Sequence, residues 1–285
     1  KAWSALMFTS LSLEETSQSD IFKIGKDFSK NLPIYEVKKD LSFISKNDKI
    51  RVGFITPYFD GNAIDGFLLS VLKNLDKKNF EIIGFNLNQS DNNSDHLKNY
   101  FNEWYHVNKF TDIDLINFIK KKQINILIDL VGHGPGNKLS IFKNRVAPIQ
   151  ICWLGYVNTT GLNEMDYLIT DPYLIRDNEH ILYSEKIIPL PKIWNSHEKL
   201  DEKLEIKIPC ETNNFITFGS FNNFRKISSN VINVWSEILL ESDSKLVLKS
   251  SMNNSKELRD RLLSKFPISL LKDNKIILIE GQKDK

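Results

Sequence analysis

The chain has 285 residues, a formal net charge of +2 and 26% charged residues, a balance typical of an ordinary globular protein. So small a net charge gives no electrostatic reason to expect nucleic acid as a partner. No apolar run approaches the ~18 residues that a membrane span needs, so we expect no membrane partner. The two cysteines, Cys152 and Cys210, form no CxxC pair or metal-ligand spacing. That usage favours a reducing, cytoplasmic setting and no bound metal.

Residues 1–45 predict a helical extension that precedes the core. The stretches "AWSALMFTSL" and "SQSDIFKIGKDFSK" carry apolar residues at helical spacing. Ser19 or Asp20 is the expected cap of the second helix. The chain begins at Lys1 without a Met and shows no signal peptide, which suggests a fragment of a longer protein. We expect the extension to pack on the domain that follows.

Residues 46–195 predict one complete Rossmann-like lobe. The stretches "KIRVGFITP", "FEIIGFNL", "INILIDL" and "PIQICWLG" have the pattern of buried strands. Between them, "DGFLLSVLKNL" and "TDIDLINFIKKK" have the pattern of helices. The closing run Lys120–Lys122 suits the negative end of a helix, so we expect a solvated helix end there. Such alternation predicts a parallel sheet with helices on both faces.

Residues 196–285 predict the first part of a second Rossmann-like lobe. The charged stretch "NSHEKLDEKLEIKIPCETNN" is the expected boundary between the two domains. After it the alternation resumes with three strand patterns, "FITFGSF", "KLVLKS" and "KIILIEG", separated by helix patterns. Three strands make up about half of such a lobe.

Polar loops follow four of the predicted strands, at residues 58–66, 131–137, 155–164 and 222–229. Ligands of open parallel sheets bind beyond the carboxyl ends of the strands, where loops rich in Gly, Asn and Thr let backbone amides approach a polar ligand. A nicotinamide enzyme is disfavoured, because no GxGxxG follows the first strand, and a P-loop is absent too. The residues alone are compatible with a two-lobe sugar-nucleotide enzyme but do not establish one.

The stretch "RVAPIQICWLGYVNTTGLNEMDYLITD" closely resembles the catalytic region of the protein O-GlcNAc transferase and SPINDLY family. Further stretches resemble the family in the same order, namely "RVGFITPYFDGN", "ILIDLVGHGPGNKLSIF", "YSEKIIPLP" and "FGSFNNFRKISSNVINVWSEIL". The resemblance covers nearly the whole chain, and it is specific because several separate motifs recur in one order.

The resemblance implies an α/β fold of the GT-B type, with two Rossmann-like lobes. It also implies an inverting glycosyltransferase that moves a sugar from a nucleotide donor to Ser or Thr of an acceptor protein or peptide. The expected donor is the nucleotide sugar UDP-GlcNAc, used without a metal cofactor, whereas the SPINDLY branch uses GDP-fucose. TPR repeats that bind the acceptor usually precede the core in this family.

The donor contacts implied by the resemblance come from both lobes. Lys226 matches the lysine that contacts the donor diphosphate, and Asn223 matches a position near the donor. The ordinary alternative for Lys226 is a surface lysine at a helix start. Leu154 and Gly155 match the turn that packs against the donor sugar, while Trp153 is expected to be a core anchor.

His133 matches a histidine found in many bacterial members of the family. Its place at the end of a strand suits a general base or a sugar contact, and a structural histidine bonded to the local backbone is equally open. Asn62 stands where the family commonly has a histidine. Asn cannot act as a base at neutral pH, but it can contact the donor by hydrogen-bonding a sugar or phosphate. Gly134 and Val157 replace the usual Thr and Pro.

These departures leave three hypotheses. The first is a protein glycosyltransferase whose fragment alone is poorly active, since the Thr-rich donor motif expected downstream is not in the chain. The second is a diverged, non-catalytic member of the family that acts as a binding module. The third is a glycosyltransferase with another donor, such as GDP-fucose, or with a non-protein acceptor.

Overall fold

The computed structural model describes residues 2–37, 49–60, 63–88, 94–197 and 207–281. The chain divides into two compact units, Lys1–Leu200 and Asp201–Lys285, which are described separately below. Within the described residues, no helix has the length and apolarity required to cross a membrane.

The first unit is built on a seven-stranded sheet in which every strand pair is parallel. Its strands are β1 Ile50–Thr56, β2 Phe80–Asn86, β3 Glu103–His106, β4 Ile126–Asp129, β5 Ile149–Cys152, β6 Tyr167–Thr170 and β7 Lys186–Pro189. Their order is β3-β2-β1-β4-β5-β6-β7. The order reverses between β1 and β4, and such a switch point opens a crevice at the carboxyl ends of the strands.

Helices cover both faces of this sheet, as the alternating sequence pattern predicts. They are α1 Ala2–Ser10, α2 Gln18–Lys30, α3 Ala63–Asn74, α4 Asp95–Lys98, α5 Asp112–Lys121 and α6 Leu139–Lys143. Neighbouring strand residues point to opposite faces, so Ile55 belongs to one core cluster and Phe54 to the other. The second cluster includes Leu68 and Leu72 from the predicted apolar face of α3, both fully buried.

Helix α2 begins two or three residues earlier than the predicted cap residues would place it. Ser17 is the N-cap: its hydroxyl accepts a hydrogen bond from the Asp20 backbone N–H at 3.1 Å. The Asp20 carboxylate in turn accepts from the Ser17 backbone N–H at 3.0 Å. The prediction of Ser19 or Asp20 as the cap is therefore wrong. Asp20 is instead the third residue of a capping box.

The predicted solvated end of helix α5 is also wrong for Lys122. Its ammonium donates to Glu103 at 2.9 Å and lies 4.1 Å from the centre of the Tyr105 ring. Arg51 binds the same carboxylate at 2.6 Å. Partial burial acts to raise the pKa of Glu103, but hydrogen bonds from Tyr105, Arg51 and Lys122 outweigh it and lower that pKa to about 2. The lysine thus ties α5 to the sheet.

The second unit contains a three-stranded parallel sheet in the order β10-β9-β8. Its strands are β8 Ile216–Ser220, β9 Ser244–Ser250 and β10 Ile276–Glu280, and its helices are α7 Pro209–Asn213, α8 Ser229–Glu241, α9 Lys256–Leu263 and α10 Ile268–Lys272. Ile232, Leu239 and Leu248 are buried between α8 and the sheet. The described part of this unit is thus a parallel α/β arrangement, in line with the alternating sequence pattern.

Candidate functional site

The carboxyl edge of the seven-stranded sheet is lined by polar residues that order the loops. Three strands end in a fully buried polar side chain, namely Thr56, Asn86 and Asp129. Each accepts a hydrogen bond from the backbone N–H two residues further on, at 3.1, 2.8 and 3.2 Å respectively. Local side-chain bonds of this kind turn the backbone sharply. The loops after β1, β2 and β4 therefore start in defined conformations.

The loops after β1 and β4 meet at the switch point of the sheet. The Tyr58 hydroxyl donates a hydrogen bond to the Pro135 carbonyl oxygen at 2.7 Å. Asp129 also accepts from the Gly132 N–H at 2.7 Å, and its burial, only partly opposed by these hydrogen bonds, raises its pKa to about 7. The crevice expected from the strand order is thus bordered by a short, tightly bonded loop.

His133 lies beneath this edge and is almost fully buried, with 2% of its surface exposed. Its Nε2 donates to the Thr160 carbonyl oxygen at 3.0 Å, which leaves Nδ1 unprotonated. Among the residues described, Nδ1 has no hydrogen-bond partner. The ring packs edge-on against Phe28 and Tyr156, at 4.7 and 5.1 Å between ring centres. Burial lowers the pKa of His133 to about 4, so the imidazole is neutral at pH 7.

The buried imidazole makes stability depend on pH. Because the folded pKa lies below the ordinary value of 6.5, protons bind preferentially to the unfolded chain. The contribution of the neutral imidazole to the free energy of unfolding is fully present above pH 6.5 and is lost as the pH falls toward 4. The loss is on the order of 3 kcal/mol. We expect the free energy of unfolding of His133→Gln to fall less than that of the wild type between pH 7 and pH 4.5.

Urea unfolding of both proteins at the two pH values measures this difference. Asp129 is retained in both proteins, and its raised pKa contributes a slope of the opposite sign, so only the difference between the two proteins is informative. Equal changes in the wild type and His133→Gln contradict the assigned burial.

The Leu154–Gly155 turn presents backbone rather than side chain at the edge. Leu154 has a positive φ of 66°, and its side chain is buried in the core with only 5% exposed. A Cβ on Gly155 would lie 2.0 Å from the Leu130 carbonyl oxygen, so this position needs glycine because it packs against the end of β4. Trp153 is buried as predicted, and its Nε1 donates to the Trp194 carbonyl oxygen at 2.9 Å.

The segment that follows the turn is held by a buried carboxylate that sequence reasoning missed. Glu185, only 4% exposed, accepts from the Thr159 hydroxyl at 2.7 Å and from the Thr160 backbone N–H at 2.7 Å. The Thr160 hydroxyl also bonds to it. Burial raises the pKa of Glu185 against these three donors. The only sequence signal was an acidic residue just before β7, with nothing to indicate its partners.

Helix α2 of the N-terminal extension packs on the same segment. Gln18 and Asn158 exchange two side-chain hydrogen bonds of 2.8 Å each. Gly161 has a φ of +80°, and a Cβ there would lie 2.1 Å from the Gly25 carbonyl oxygen. The expectation that the extension packs on the next domain is confirmed within this unit. The polar stretch 155–164 is therefore largely an internal structural element, with Val157 among its exposed residues.

Two predicted site residues, Asn223 and Lys226, belong to the second unit. They follow β8, where Phe224–Lys226 form a turn of 3-10 helix. The Asn223 side-chain oxygen accepts from the Arg225 N–H at 3.0 Å, and Lys226 is exposed at the end of the turn. Asn62 lies outside the described residues.

The first unit brings His133, Leu154 and Gly155 to one edge of its sheet. Tyr156, the next residue, packs against the loop that carries His133. Its ring contacts the His133 ring, and its Cβ lies only 2.2 Å from the position that a Cβ on Gly132 would take. Within the ranges that the structure describes, no group of three or more His, Cys, Asp or Glu side chains is arranged to hold a metal ion.

Comparison with known proteins connects this edge to an enzyme family. The family model of glycosyl transferase family 41 matches residues 29–213. A Solanum lycopersicum protein described as probable UDP-N-acetylglucosamine–peptide N-acetylglucosaminyltransferase SPINDLY is 29% identical over 84% of this chain and 26% of its own length. The Eustoma exaltatum protein of the same description is 36% identical over 56% of this chain and 18% of its own length. The chain thus spans about a quarter of the curated relatives that it matches.

Among solved structures, a Thermobaculum terrenum O-GlcNAc transferase mutant superposes with a TM-score of 0.85 at 23% identity. The match covers 99% of this chain and 55% of that one, so the two share their fold. The predicted α/β, GT-B-like fold is thereby confirmed. The family match covers more than half of the chain and includes all the loops of the sheet edge described above. The chain belongs to glycosyl transferase family 41, the family of the protein O-GlcNAc transferases and SPINDLY proteins that its motifs resemble.

Proposed function

We propose that this chain is the catalytic region of a glycosyltransferase that moves N-acetylglucosamine from UDP-GlcNAc to Ser or Thr hydroxyls of proteins. The observation that carries the proposal is the family 41 match over residues 29–213, which spans the ordered loops at the carboxyl edge of the sheet. The Solanum lycopersicum and Eustoma exaltatum relatives are described as probable UDP-N-acetylglucosamine–peptide N-acetylglucosaminyltransferases. The transfer inverts the sugar carbon: the acceptor oxygen bonds to it as the bond to the UDP oxygen breaks, UDP departs, and the acceptor hydroxyl releases its proton.

The proposed donor contacts follow the family resemblance. Lys226 stabilises the negative charge that develops on the leaving diphosphate, and Asn223 and Asn62 contact the donor by hydrogen bonds. The family match ends at residue 213, so the role of Lys226 rests on the motif "FNNFRKI" alone. At the Leu154–Gly155 turn, the backbone rather than the buried leucine side chain faces the sugar.

His133 requires a narrower role than the resemblance implies. Its ring is buried and its Nε2 already donates to the Thr160 carbonyl oxygen. A general base must reach the acceptor hydroxyl directly or through one water. In the arrangement described, His133 supports the loop backbone, and we propose that it positions this loop instead of accepting the proton.

The test is a donor and acceptor screen on the protein at its native length. We expect UDP-GlcNAc to support transfer to Ser or Thr of protein acceptors, located by mass spectrometry of labelled peptides. We also propose that the reaction needs no metal ion, so excess EDTA should leave the rate unchanged. The proposed setting is reducing and cytoplasmic.

Other outcomes of the screen decide between the alternatives. Labelling from GDP-fucose alone contradicts the proposed donor, and transfer only to a small molecule, polysaccharide or lipid contradicts the protein acceptor. Absence of both transfer and donor hydrolysis contradicts catalysis and leaves the binding-module hypothesis.

A further inference from the structure

We infer that Glu185 is a positioning residue, whose buried carboxylate sets the conformation of the segment 155–162 and so the placement of the backbone that faces the donor sugar. This inference rests on the proposed function. Its evidence is the network that joins Glu185 to Thr159 and Thr160, two residues that lie four and five positions after Gly155.

The hydrogen positions in this network follow from the partners of each hydroxyl. The Thr159 hydroxyl oxygen accepts from the backbone N–H groups of Gly161 and Ser184, each at 3.1 Å. The Thr160 hydroxyl oxygen accepts from the Leu162 N–H at 3.3 Å. Since a backbone N–H only donates, both hydroxyl hydrogens are left to point at the carboxylate. Glu185 therefore acts as the acceptor of three bonds, which an ionised carboxylate provides.

Every polar group of Thr160 is engaged by a buried side chain. Its N–H and hydroxyl bond to Glu185, and its carbonyl oxygen accepts from His133 Nε2. Glu185 precedes β7 and His133 follows β4, so the two side chains hold Thr160 from different loops. Both are at least nine-tenths buried. Their burial keeps water away from these bonds.

The anchored residues are close enough along the chain to determine the exposed part of the turn. Val157, 36% exposed, lies between Gly155 and Thr159, and Asn158 is separately tied to Gln18. A shift of the Thr pair must therefore be absorbed within the three residues that follow Gly155. A displacement of about 1 Å at a reacting group can cost up to 10²-fold in rate, so this anchor bears directly on donor placement.

Glu185→Gln tests the inference with little change of shape. The amide replaces one acceptor oxygen by an NH₂ group, which faces a hydroxyl hydrogen or a backbone N–H instead of accepting from it. Each buried donor left without an acceptor lowers the free energy of unfolding by about 1–3 kcal/mol. The kinetics are measured at temperatures where circular dichroism shows the variant to be folded. There we expect kcat/KM for the nucleotide sugar to fall about 10-fold or more and KM for the donor to rise. Glu211→Gln, at an exposed site in the second unit, is the matched control and should behave as the wild type.

Two further measurements keep the test decisive. Hydrogen exchange of peptides covering 154–164 should accelerate about 10-fold or more in Glu185→Gln, a readout that needs no activity. If Glu185→Gln does not fold, Thr159→Val is the second variant. It removes one of the three donors to the carboxylate and also the acceptor of the Gly161 and Ser184 N–H groups. It should change exchange and KM in the same direction. Unchanged exchange, or kcat/KM within twofold of the wild type despite a lower melting temperature, overturns the inference. A wild type that transfers no sugar contradicts the proposed function, while the exchange result still decides whether Glu185 orders the loop.

Discussion

Lys226→Ala is expected to lower the turnover of the proposed transferase by roughly 10²-fold. As the bond between the sugar carbon and the diphosphate breaks, negative charge gathers on the leaving oxygen. An ammonium group placed there stabilises the transition state more than the bound donor, so its loss affects kcat more than KM. Lys226 is exposed at the end of the turn after β8, where a side chain can reach a ligand without any change in the core.

The matched control for this variant is Lys265→Ala. Lys265 is also exposed, lies in the same unit, and follows the end of helix α9 instead of a strand. Steady-state kinetics with UDP-GlcNAc and an acceptor peptide should show normal turnover for Lys265→Ala and the large loss for Lys226→Ala. Equal turnover in the two variants would reassign Lys226 to the ordinary surface.

Gly155→Ala is expected to lower the free energy of unfolding of the first unit by about 3 kcal/mol or more. The added Cβ would lie 2.0 Å from the Leu130 carbonyl oxygen and 2.8 Å from its carbonyl carbon. Both are backbone atoms just beyond β4, so they cannot rotate away as a flexible side chain would. Either the end of β4 or the turn after β5 must move, and each belongs to the buried core.

Gly219→Ala provides the comparison, because a Cβ there meets no atom within 4 Å. We expect its effect to stay within about 1 kcal/mol. Urea titration read out by hydrogen exchange, peptide by peptide, reports each unit separately. Similar losses in the two variants would show that the contact with Leu130 is relieved at little cost, against this prediction.

Local sequence patterns were sufficient to predict most helices and strands. Buried parallel strands need continuous apolar, β-branched runs, and the stretches around Val52, Ile83 and Ile128 have them. For helix α5 the sequence left Thr111 or Asp112 as the cap, and the structure has Thr111, in a capping box with Asp114. At helix α2 several adjacent polar residues fit the N-cap preference equally well. Only the structure shows that the first turn begins after Ser17.

The candidate site was predictable in part. The carboxyl edge of the sheet and the identity of its loops follow from the strand–helix alternation and the motif resemblance. The burial of His133 and of the Leu154 side chain did not, because neither periodicity nor a short motif reports which side of a loop packs inward. The glycine at 155 illustrates the same limit. Its close neighbour is the Leu130 backbone, 25 residues earlier in the sequence, and composition alone suggested only approach to a ligand.

By itself, the sequence determined the alternation of strands and helices, the α/β class and the family motifs around "WLGYVNTTG", since these depend on neighbouring residues along the chain. Only the tertiary structure decided how that polar stretch is held. Thr160 meets His133 and Glu185 across 27 and 25 positions, and Asn158 meets Gln18 across 140. Such contacts arise from strand order and helix docking, which bring distant loops to one edge of the sheet. A stretch that looked like an exposed ligand loop is for this reason largely buried, and its anchor is a carboxylate that no local pattern reveals.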